Sequence, residues 1–184
     1  MELKGKNALV TGAAHRVGKA IALQLAQEGC NIAIHFNSAA QDAEQTLAEI
    51  RGFSVKAHTY AADLRSLVAI QDLFENVARD FGRLDILVNS AAIMQRKALP
   101  EVSLEDWNAT IELNLRAPFF CTQSAVNLMG EEGGAIVNIS DIAGLLPWKD
   151  YPVHSISKIG VEMLTKLAAL EYAPRVRVNA VAPG

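Results

Sequence analysis

Cysteine is scarce in this chain of 184 residues, which contains only Cys30 and Cys121. The two lie far apart and in no metal-ligand spacing, so we expect reduced, buried thiols, with neither a disulfide nor a metal site. The N-terminus has no apolar stretch long enough for a signal peptide, and no later run approaches the length of a membrane span. These absences predict a soluble cytoplasmic protein without a metal cofactor.

An excess of charge of one sign is also lacking. Seventeen Lys and Arg residues stand against 20 Asp and Glu residues, which gives a formal net charge of -3. The basic residues form neither a stripe nor a polybasic segment, so we expect no nucleic-acid or membrane partner and favour a small-molecule substrate. Hydrophobic residues make up 51% of the chain, enough to bury one substantial core.

Short apolar runs alternate with amphipathic helical stretches along the whole chain. Strands are predicted at 7–11, 31–36, 55–60, 84–88, 135–139 and 176–180, and helices after the first strand and at 39–51, 66–81, 103–129 and 153–172. In the first helix, Val17, Ile21 and Leu25 recur on one face. Ser103-Leu-Glu-Asp106 has capping-box spacing at the start of the long helix, and Pro118 predicts a kink within it.

Six strands joined by helical crossovers predict a Rossmann-type, doubly wound α/β fold. Right-handed crossovers give a parallel sheet of strand order 3-2-1-4-5-6, and ligands bind such sheets at the carboxyl ends of the strands, near the point where the order reverses. We expect residues 1–184 to form a single nucleotide-binding domain that includes the catalytic segment. The motifs that follow the strands are therefore the candidate site residues.

A glycine turn, Thr11-Gly12-Ala-Ala-His15-Arg16-Val17-Gly18, follows the first strand. Glycines allow a tight bend, and the helix that follows directs free amides at a phosphate. Its place between a predicted strand and helix favours a dinucleotide site over an ordinary strand-to-helix turn. Arg16 adds a fixed fork of donors and a permanent positive charge, and a solvated side chain is the alternative interpretation.

The segment Ile34-His35-Phe36-Asn37-Ser38, at the end of the second strand, bears on the choice of cofactor. NAD-binding proteins of this fold carry an acid there to bond the ribose 2′-hydroxyl. This chain has no carboxylate at that place before Asp42, and Asn37 and Ser38 can donate to a 2′-phosphate. We therefore expect NADP(H); a helix-capping role for Asn37 and Ser38 does not exclude this contact.

Three segments resemble the active-site region of the short-chain dehydrogenase/reductases: Asn138-Ile-Ser-Asp141, Tyr151-Pro-Val-His154-Ser-Ile-Ser-Lys158 and Val178-Asn-Ala-Val-Ala-Pro-Gly184. The glycine turn resembles that family's Thr-Gly-x-x-x-Gly-x-Gly, with Arg16 at the middle glycine. The resemblance covers nearly the whole chain. Members usually continue past the Pro-Gly motif with a substrate-covering loop, a helix and a seventh strand, and this C-terminal part of the family fold is absent from the 184 residues.

The resemblance implies a set of cofactor-binding residues at successive strand ends. They are Gly12, His15, Arg16, Val17, Gly18, Asn37, Ser38, Asp63, Leu64, Asn89, Ser90, Ala91, Lys158, Pro183 and Gly184. Asp63-Leu64 matches the family's adenine-contact pair, and Asn89-Ser90-Ala91-Ala92 matches its Asn-Asn-Ala-Gly motif with two substitutions. Pro183-Gly184 matches the motif beside the nicotinamide.

The family's catalytic asparagine, serine, tyrosine and lysine correspond here to Asn114, Asp141, His154 and Lys158. Residues 154 and 158 are four apart on one helix and share a face. Tyr151, the other candidate proton donor, precedes that helix and should not share the face of Lys158. Neutral imidazole is a weaker acid than a tyrosine beside a lysine and has a shorter reach, so the ordinary mechanism should be strongly impaired. An Asp141 carboxylate beside His154 would favour imidazolium and form a proton relay.

Arg16 and Asp141 together resemble pteridine reductases, which carry an arginine and an acid at these places. Because a carboxyl can pass a proton to a heterocycle, a pterin-like substrate is preferred, with a carbonyl compound as the alternative. The first functional hypothesis is an NADPH-dependent oxidoreductase. The second is a catalytically impaired NADP-binding relative, a cofactor sensor or partner subunit, in which His154 performs no chemistry. The family's usual dimer surface, at 103–129 and 153–172, implies a homodimer or homotetramer.

Overall fold

The computed structural model describes residues 2–183, in which strands and helices alternate. The strands are β1 (Asn7–Val10), β2 (Asn31–Phe36), β3 (Ala57–Ala61), β4 (Ile86–Asn89), β5 (Gly134–Ile139) and β6 (Val176–Val181). The α-helices are α1 (Arg16–Gln27), α2 (Ala40–Arg51), α3 (Leu67–Phe81), α4 (Leu104–Ile111), α5 (Ala117–Met129) and α6 (Pro152–Tyr172). Outside the long predicted helix at 103–129, which is divided, the strand and helix predictions hold with small shifts at their ends.

The six strands form one parallel sheet in the order β3-β2-β1-β4-β5-β6. This confirms the predicted Rossmann-type order. Ala8 of β1 lies between Ile32 of β2 and Ile86 of β4, so the order reverses on either side of β1. The carboxyl ends of β1 and β4 therefore border the crevice where such sheets bind ligands.

Apolar side chains cover both faces of the sheet. Helices α1 and α2 pack on one face, and α3, α5 and α6 pack on the other. Because side chains alternate along a strand, Ala8 and Val10 face α1 and α2 while Leu9 faces α3 and α5. Within residues 2–183, none of the helices combines the length and the apolar character needed to cross a membrane.

Helix α1 meets the sheet through a face centred one residue beyond the predicted one. Val17 is 50% exposed, and Ile21 and Leu25 are only partly buried against the core, whereas Gly18, Ala22 and Ala26 are buried. A Cβ on Gly18 would lie 2.3 Å from the carbonyl oxygen of Gly12, so the helix can approach β1 only through its smallest side chains. The prediction from apolar periodicity was therefore wrong by one residue, since close packing selected small side chains over large ones.

The long predicted helix is divided by a π-turn at Glu112–Arg116, between α4 and α5. The N–H group of Ala117 donates to the carbonyl of Glu112, five residues earlier. Pro118, in the first turn of α5, has no N–H group to offer the carbonyl of Asn114. The irregularity expected at Pro118 thus takes the form of a π-turn just before it, and the predicted capping box at the start of α4 is confirmed.

Replacement of Gly18 by alanine tests the close approach of α1. Gly18→Ala should lower the free energy of unfolding by about 1–3 kcal/mol, the usual cost of overpacking, because the added methyl group meets backbone atoms that cannot rotate away. Urea denaturation followed by circular dichroism measures the change. Ala20→Ser, at an exposed position of the same helix, should alter stability by less than about 0.5 kcal/mol. Equal stability of Gly18→Ala and the wild type would contradict the packing.

Candidate active site

The glycine turn between β1 and α1 is fastened to the segment that follows β4. Gly12 has a φ of +66°, and a Cβ there would lie 2.9 Å from the Cα of Ala91. The hydroxyl oxygen of Thr11 accepts hydrogen bonds from the N–H groups of Ser90 and Ala91, at 2.9 and 3.0 Å. The motifs after β1 and β4 therefore form one continuous surface.

A cavity of about 490 Å³ lies at this surface. It is lined by eleven of the residues expected to bind the cofactor: Gly12, His15, Arg16, Val17, Gly18, Asn37, Ser38, Asp63, Leu64, Ser90 and Ala91. The cavity extends to Ile93 and Leu113, on the side of the expected catalytic residue His154. The structure thus brings these residues together, and their contact with a cofactor stays a prediction.

The N-terminus of α1 faces this cavity without a capping side chain. His15 occupies the N-cap position, but its side chain accepts no hydrogen bond from the helix, and the first turn contains no acidic residue. The amides there suit an anion, which the positive end of the helix dipole also favours. Arg16 is exposed and has a φ of +51°, a left-handed conformation that is costly for a residue other than glycine.

Asn37 and Ser38 are exposed on the cavity wall just beyond β2. The N-cap of α2 is Ala39, and no side chain caps that helix end, so the alternative capping role is not realised. The nearest downstream carboxylate, that of Asp42, lies 3.8 Å from the His15 imidazole, with which it pairs when His15 is protonated. Asn37 and Ser38 therefore offer two uncharged donors at the position expected for the 2′-phosphate.

Asp63 is held by a neighbour that the sequence analysis did not single out. A terminal guanidinium nitrogen of Arg65 donates to Asp63 at 2.8 Å, and the Arg65 backbone N–H donates at 3.0 Å. The hydrogen bond from the Arg65 side chain is the main cause that lowers the pKa of Asp63, so this carboxyl stays ionised near neutral pH. Leu64 is buried beside it, and Arg65 also lines the cavity.

Asn89 is buried at the end of β4 and is not among the residues that line the cavity. Its amide nitrogen donates to the side-chain oxygen of Asn138 at 2.8 Å, and the Asn138 amide nitrogen donates to the hydroxyl of Thr165 at 2.9 Å. This chain of buried polar groups joins β4, β5 and α6. Asn89 therefore supports the strand ends from within, and a direct cofactor contact stays a prediction.

Asn114 lies in the π-turn and holds Ile93 through both ends of its amide. Its oxygen accepts from the Ile93 N–H group at 2.9 Å, and its nitrogen donates to the Ile93 carbonyl at 2.8 Å. The same nitrogen lies 3.2 Å from the hydroxyl of Ser157 in α6. Asn114 thus fixes the backbone that joins the cavity to the catalytic segment.

The imidazole of His154 is 4% exposed, and both of its nitrogens face oxygen acceptors. Nδ1 lies 3.4 Å from the Ile93 carbonyl oxygen, and Nε2 lies 3.4 Å from a carboxylate oxygen of Asp141. A neutral imidazole has one N–H group, which would leave the other nitrogen facing an oxygen without a hydrogen between them. Both contacts are satisfied when His154 carries two protons, or when Asp141 carries one. The structure therefore pairs the two substituted positions.

The carboxylate of Asp141 is more accessible than the histidine it faces. One oxygen accepts from the Ala143 N–H group at 2.8 Å, which caps a short 3₁₀ turn at Ile142–Gly144. The other oxygen faces His154, and 23% of the Asp141 side chain is exposed, against 4% for His154. Asp141 is thus the member of the pair that an incoming molecule can reach.

Lys158 lies one helical turn beyond His154, and its side-chain nitrogen donates to the carbonyl of Ile139 at 2.8 Å. Burial lowers the pKa of the Lys158 ammonium group, and the negative charge of Asp141 acts in the opposite direction. That same charge offsets the repulsion between an ammonium and a nearby imidazolium. The three side chains therefore form one electrostatic unit.

Three further positions lie apart from this unit. Tyr151 is the N-cap residue of α6 and packs edge-on against the Trp148 ring, which agrees with its predicted place before the helix. Pro183 is exposed just beyond β6 and does not line the cavity. Gly184 lies outside the described residues.

Two side chains that hold the glycine turn were not identified from the sequence. Nδ1 of His35 accepts from the Gly12 N–H group at 3.1 Å, and the Thr46 hydroxyl donates to the Ala14 carbonyl at 2.9 Å. Both are buried polar residues at positions otherwise occupied by apolar ones, in β2 and on the inner face of α2. That contrast is the signal in the sequence that could have identified them.

Comparison with known proteins identifies the family. Residues 6–184 match the family model described as short chain dehydrogenase. The chain is 37% identical over 181 residues to the 3-oxoacyl-(acyl-carrier-protein) reductase FabG of Staphylococcus aureus strain Mu50, an alignment that covers 97% of this chain and 74% of the relative.

Solved structures agree with this match. A short chain dehydrogenase from Burkholderia cenocepacia J2315, in complex with NADP, matches with a TM-score of 0.95 at 36% identity and covers 100% of this chain and 76% of its own. The landomycin C-6 ketoreductase LanV, with bound NADP and rabelomycin, matches with a TM-score of 0.94 at 34% identity. This match covers 100% of this chain and 77% of LanV.

These relatives correct one expectation. They are named as a 3-oxoacyl reductase, a dehydrogenase and a ketoreductase, so the kinship with pteridine reductases inferred from Arg16 and Asp141 is not supported. Two residues that depart from a family pattern are weak evidence beside a match over almost the entire chain. The chain belongs to the short-chain dehydrogenase family of oxidoreductases, and its fold is of the Rossmann type.

Proposed function

We propose that this protein is an NADP(H)-dependent oxidoreductase that transfers hydride to the carbonyl group of a ketone. The observation that carries the proposal is the contact of His154 with Asp141, at 3.4 Å, with buried Lys158 one turn further along α6. Proton-transferring groups are thereby gathered at the carboxyl edge of a nucleotide-binding sheet. Relatives that are named as a 3-oxoacyl-(acyl-carrier-protein) reductase and a ketoreductase support the same class of reaction.

The described residues fit NADP(H). The uncapped amides of α1, with the guanidinium of Arg16, suit the pyrophosphate, while Asn37 and Ser38 offer donors to a 2′-phosphate. No carboxylate occupies the end of β2 to compete for that position. Two solved relatives hold NADP. When bound, the cofactor supplies the hydride, and residues 1–184 act as one domain that binds it and carries the catalytic segment.

Asp141 is the residue that hands the proton to the substrate. As hydride reaches the carbonyl carbon, the carbonyl oxygen takes a proton from Asp141 and becomes a hydroxyl group. Asp141 in turn receives the Nε2 proton of protonated His154, which it faces at 3.4 Å, so that His154 ends neutral and Asp141 ends as a carboxylate. Asn114 holds Ile93, whose carbonyl faces Nδ1 and keeps the ring in place. Lys158 contributes positive charge to the site.

The substrate is proposed to be an apolar ketone. Met94, Leu145 and Leu146 are exposed apolar side chains on the two segments that follow Ile93 and Asp141. The N–H group of Lys97 donates to the Asp150 carbonyl at 2.7 Å, which joins the two segments. An exposed apolar surface beside catalytic groups supports a ligand of matching character.

A second candidate function is a catalytically impaired NADP-binding relative that acts as a cofactor sensor or partner subunit. The burial of His154 favours it, because both ring nitrogens find acceptors within the protein and neither faces open space. In that case the imidazole is a structural part of the cleft.

Turnover by matched variants tests the proposed function. NADPH oxidation by the purified wild type, assayed on a panel of apolar ketones, a 3-oxoacyl thioester and a pterin, should be detectable on the ketones. Asp141→Asn and His154→Phe should lower kcat by about 10²–10⁴-fold, the usual contribution of a proton-transferring group. The dissociation constant for NADPH, from its fluorescence, should stay unchanged because neither residue lines the cavity.

His154→Tyr distinguishes the two candidates. If only this variant turns over, the wild-type protein is not a reductase and the sensor or subunit role stands. If Asp141→Asn keeps the activity of the wild type, the proposed proton relay is contradicted.

Two substitutions of Arg16 separate the effect of its backbone strain on stability from the effect of its charge on NADPH binding. Arg16→Gly should raise the free energy of unfolding by about 1 kcal/mol, because glycine adopts a φ of +51° without the penalty of a side chain. It should also weaken NADPH binding about tenfold through loss of a charged donor. Arg16→Ala should weaken binding equally without the gain in stability, since it keeps the left-handed strain. Urea denaturation and fluorescence titration measure both; equal stability of the two variants would contradict the strain.

An exposed apolar stripe on α6 supports assembly into a homodimer or homotetramer. Ile159, Met163, Leu167 and Leu170 lie on one side of this helix and are at least about half exposed. Leu167→Lys should shift the mass measured by light scattering toward the monomer, because a buried ammonium is costly at an apolar interface. Val68→Lys, at an exposed apolar position of α3, is the control and should leave the mass unchanged. A wild type that is monomeric would refute the assembly.

A further inference from the structure

The imidazole of His35 joins two segments that line the nucleotide cavity. It is 2% exposed at the end of β2, with Nδ1 3.1 Å from the Gly12 nitrogen and Nε2 3.0 Å from the Ala62 carbonyl oxygen. The His35 carbonyl also accepts from the Ala13 N–H group at 2.9 Å. One residue thus contacts both the glycine turn and the loop that carries Asp63.

The two contacts require a single protonation state of the ring. The Gly12 amide can only donate and the Ala62 carbonyl can only accept, so the ring accepts at Nδ1 and donates from Nε2. Only the neutral imidazole with its hydrogen on Nε2 satisfies both. Burial lowers the pKa of His35 from 6.5 to about 4, although the Ala62 hydrogen bond and the charge of Asp63 act to raise it. The neutral form is therefore maintained at physiological pH.

We propose that His35 is a positioning residue for the cofactor, whose neutral imidazole sets the spacing between the glycine turn and the loop at Ala62–Leu64. The inference rests on the proposed binding of NADP(H). Because His35 occupies the Gly12 N–H group, the phosphates are left to the amides at the start of α1. Through Ala62, the same ring holds Asp63 and Leu64 at a fixed place on the cavity wall.

Neighbouring hydrogen bonds complement this link without replacing it. Thr46 holds the Ala14 carbonyl from α2, and Thr11 holds the segment after β4, but neither contacts the loop after β3. The N–H group of Ala62 is itself bonded to the Phe36 carbonyl at 2.9 Å. With its carbonyl on His35, both polar groups of the Ala62 backbone are fixed to β2.

Acid should break the link. The charged group that acts on the ring is Asp63, from the loop after β3, and Asp63 is paired with Arg65. A proton on Nδ1 would meet the Gly12 N–H donor and abolish that contact. The folded protein takes up this proton only below about pH 4, whereas an ordinary histidine does so below 6.5. The unfolded state thus binds more protons between these values, so stability falls as pH decreases from 6.5 to 4.

Two substitutions at this position test the proposal. His35→Leu removes both hydrogen bonds and should raise the dissociation constant for NADPH by about tenfold or more at pH 7.5. His35→Gln keeps one acceptor and one donor and should bind NADPH within about threefold of the wild type. Fluorescence titration of the whole protein gives the constants, and differential scanning calorimetry gives each Tm.

Met129→Ala is the matched control for lost stability. Met129 is a buried residue at the end of α5, beside Gly134 at the amino end of β5 and away from the cavity lining. Its truncation should lower Tm and leave the NADPH dissociation constant unchanged. The proposal is overturned if His35→Leu raises that constant no more than Met129→Ala does, because His35 would then be merely structural.

The dependence of Tm on pH supplies an independent test. The Tm of the wild type should fall more steeply than that of His35→Gln between pH 6.5 and 4, and parallel profiles would count against a neutral buried ring. A wild type that fails to bind NADPH would refute the proposed function and this inference together. A wild type that binds, beside a His35→Leu variant that binds equally well, would refute this inference alone.

Discussion

The close approach of α1 to the ends of β1 and β4 determines where every other part of the site can lie. A Cβ on Gly18 would lie 2.3 Å from the Gly12 carbonyl oxygen, and one on Gly12 would lie 2.9 Å from the Cα of Ala91. Because neither position has room for a side chain, the turn is compressed, and the segment after β4 passes directly beside it. The amides of α1 consequently point into the crevice, and that segment continues toward the side chains proposed to be catalytic.

Ile93 is the point at which the proposed cofactor site and the proposed catalytic site share backbone. It lines the cavity proposed to bind the nucleotide, its two backbone polar groups are held by Asn114, and its carbonyl also faces the ring of His154. The π-turn supplies Asn114 for this role. An irregular turn inside a long helix is unfavourable by itself, so its presence at this junction fits the tendency of such turns to occur at functional sites.

The sequence was sufficient for the fold because apolar runs, their spacing and the handedness of crossovers are local or general properties. Strand order followed from them, and the residues around the cavity followed from the glycine turn, the end of the second strand and the resemblance to a known family. The inward face of α1 did not, because periodicity marks large apolar residues such as Val17, whereas a tightly packed helix buries Gly18 and Ala22. A polar residue in an apolar strand marks His35, and Pro118 marks an irregular helix, but the role of His35 and the form of the π-turn depend on partners far away in the chain, such as Ala62 and Ile93, which no local pattern specifies.

The histidine at position 154 changes the charge of the proposed site as well as its acid. A tyrosine would bring its own proton and no charge, whereas protonated His154 and Lys158 together carry two positive charges against the single negative charge of Asp141. The excess positive charge favours the negative charge that develops on a carbonyl oxygen as hydride arrives. Once the proton has passed through Asp141 to that oxygen, His154 is neutral and the remaining charges of Asp141 and Lys158 balance. Proton donation in this arrangement therefore also removes the repulsion that makes a buried imidazolium beside an ammonium costly.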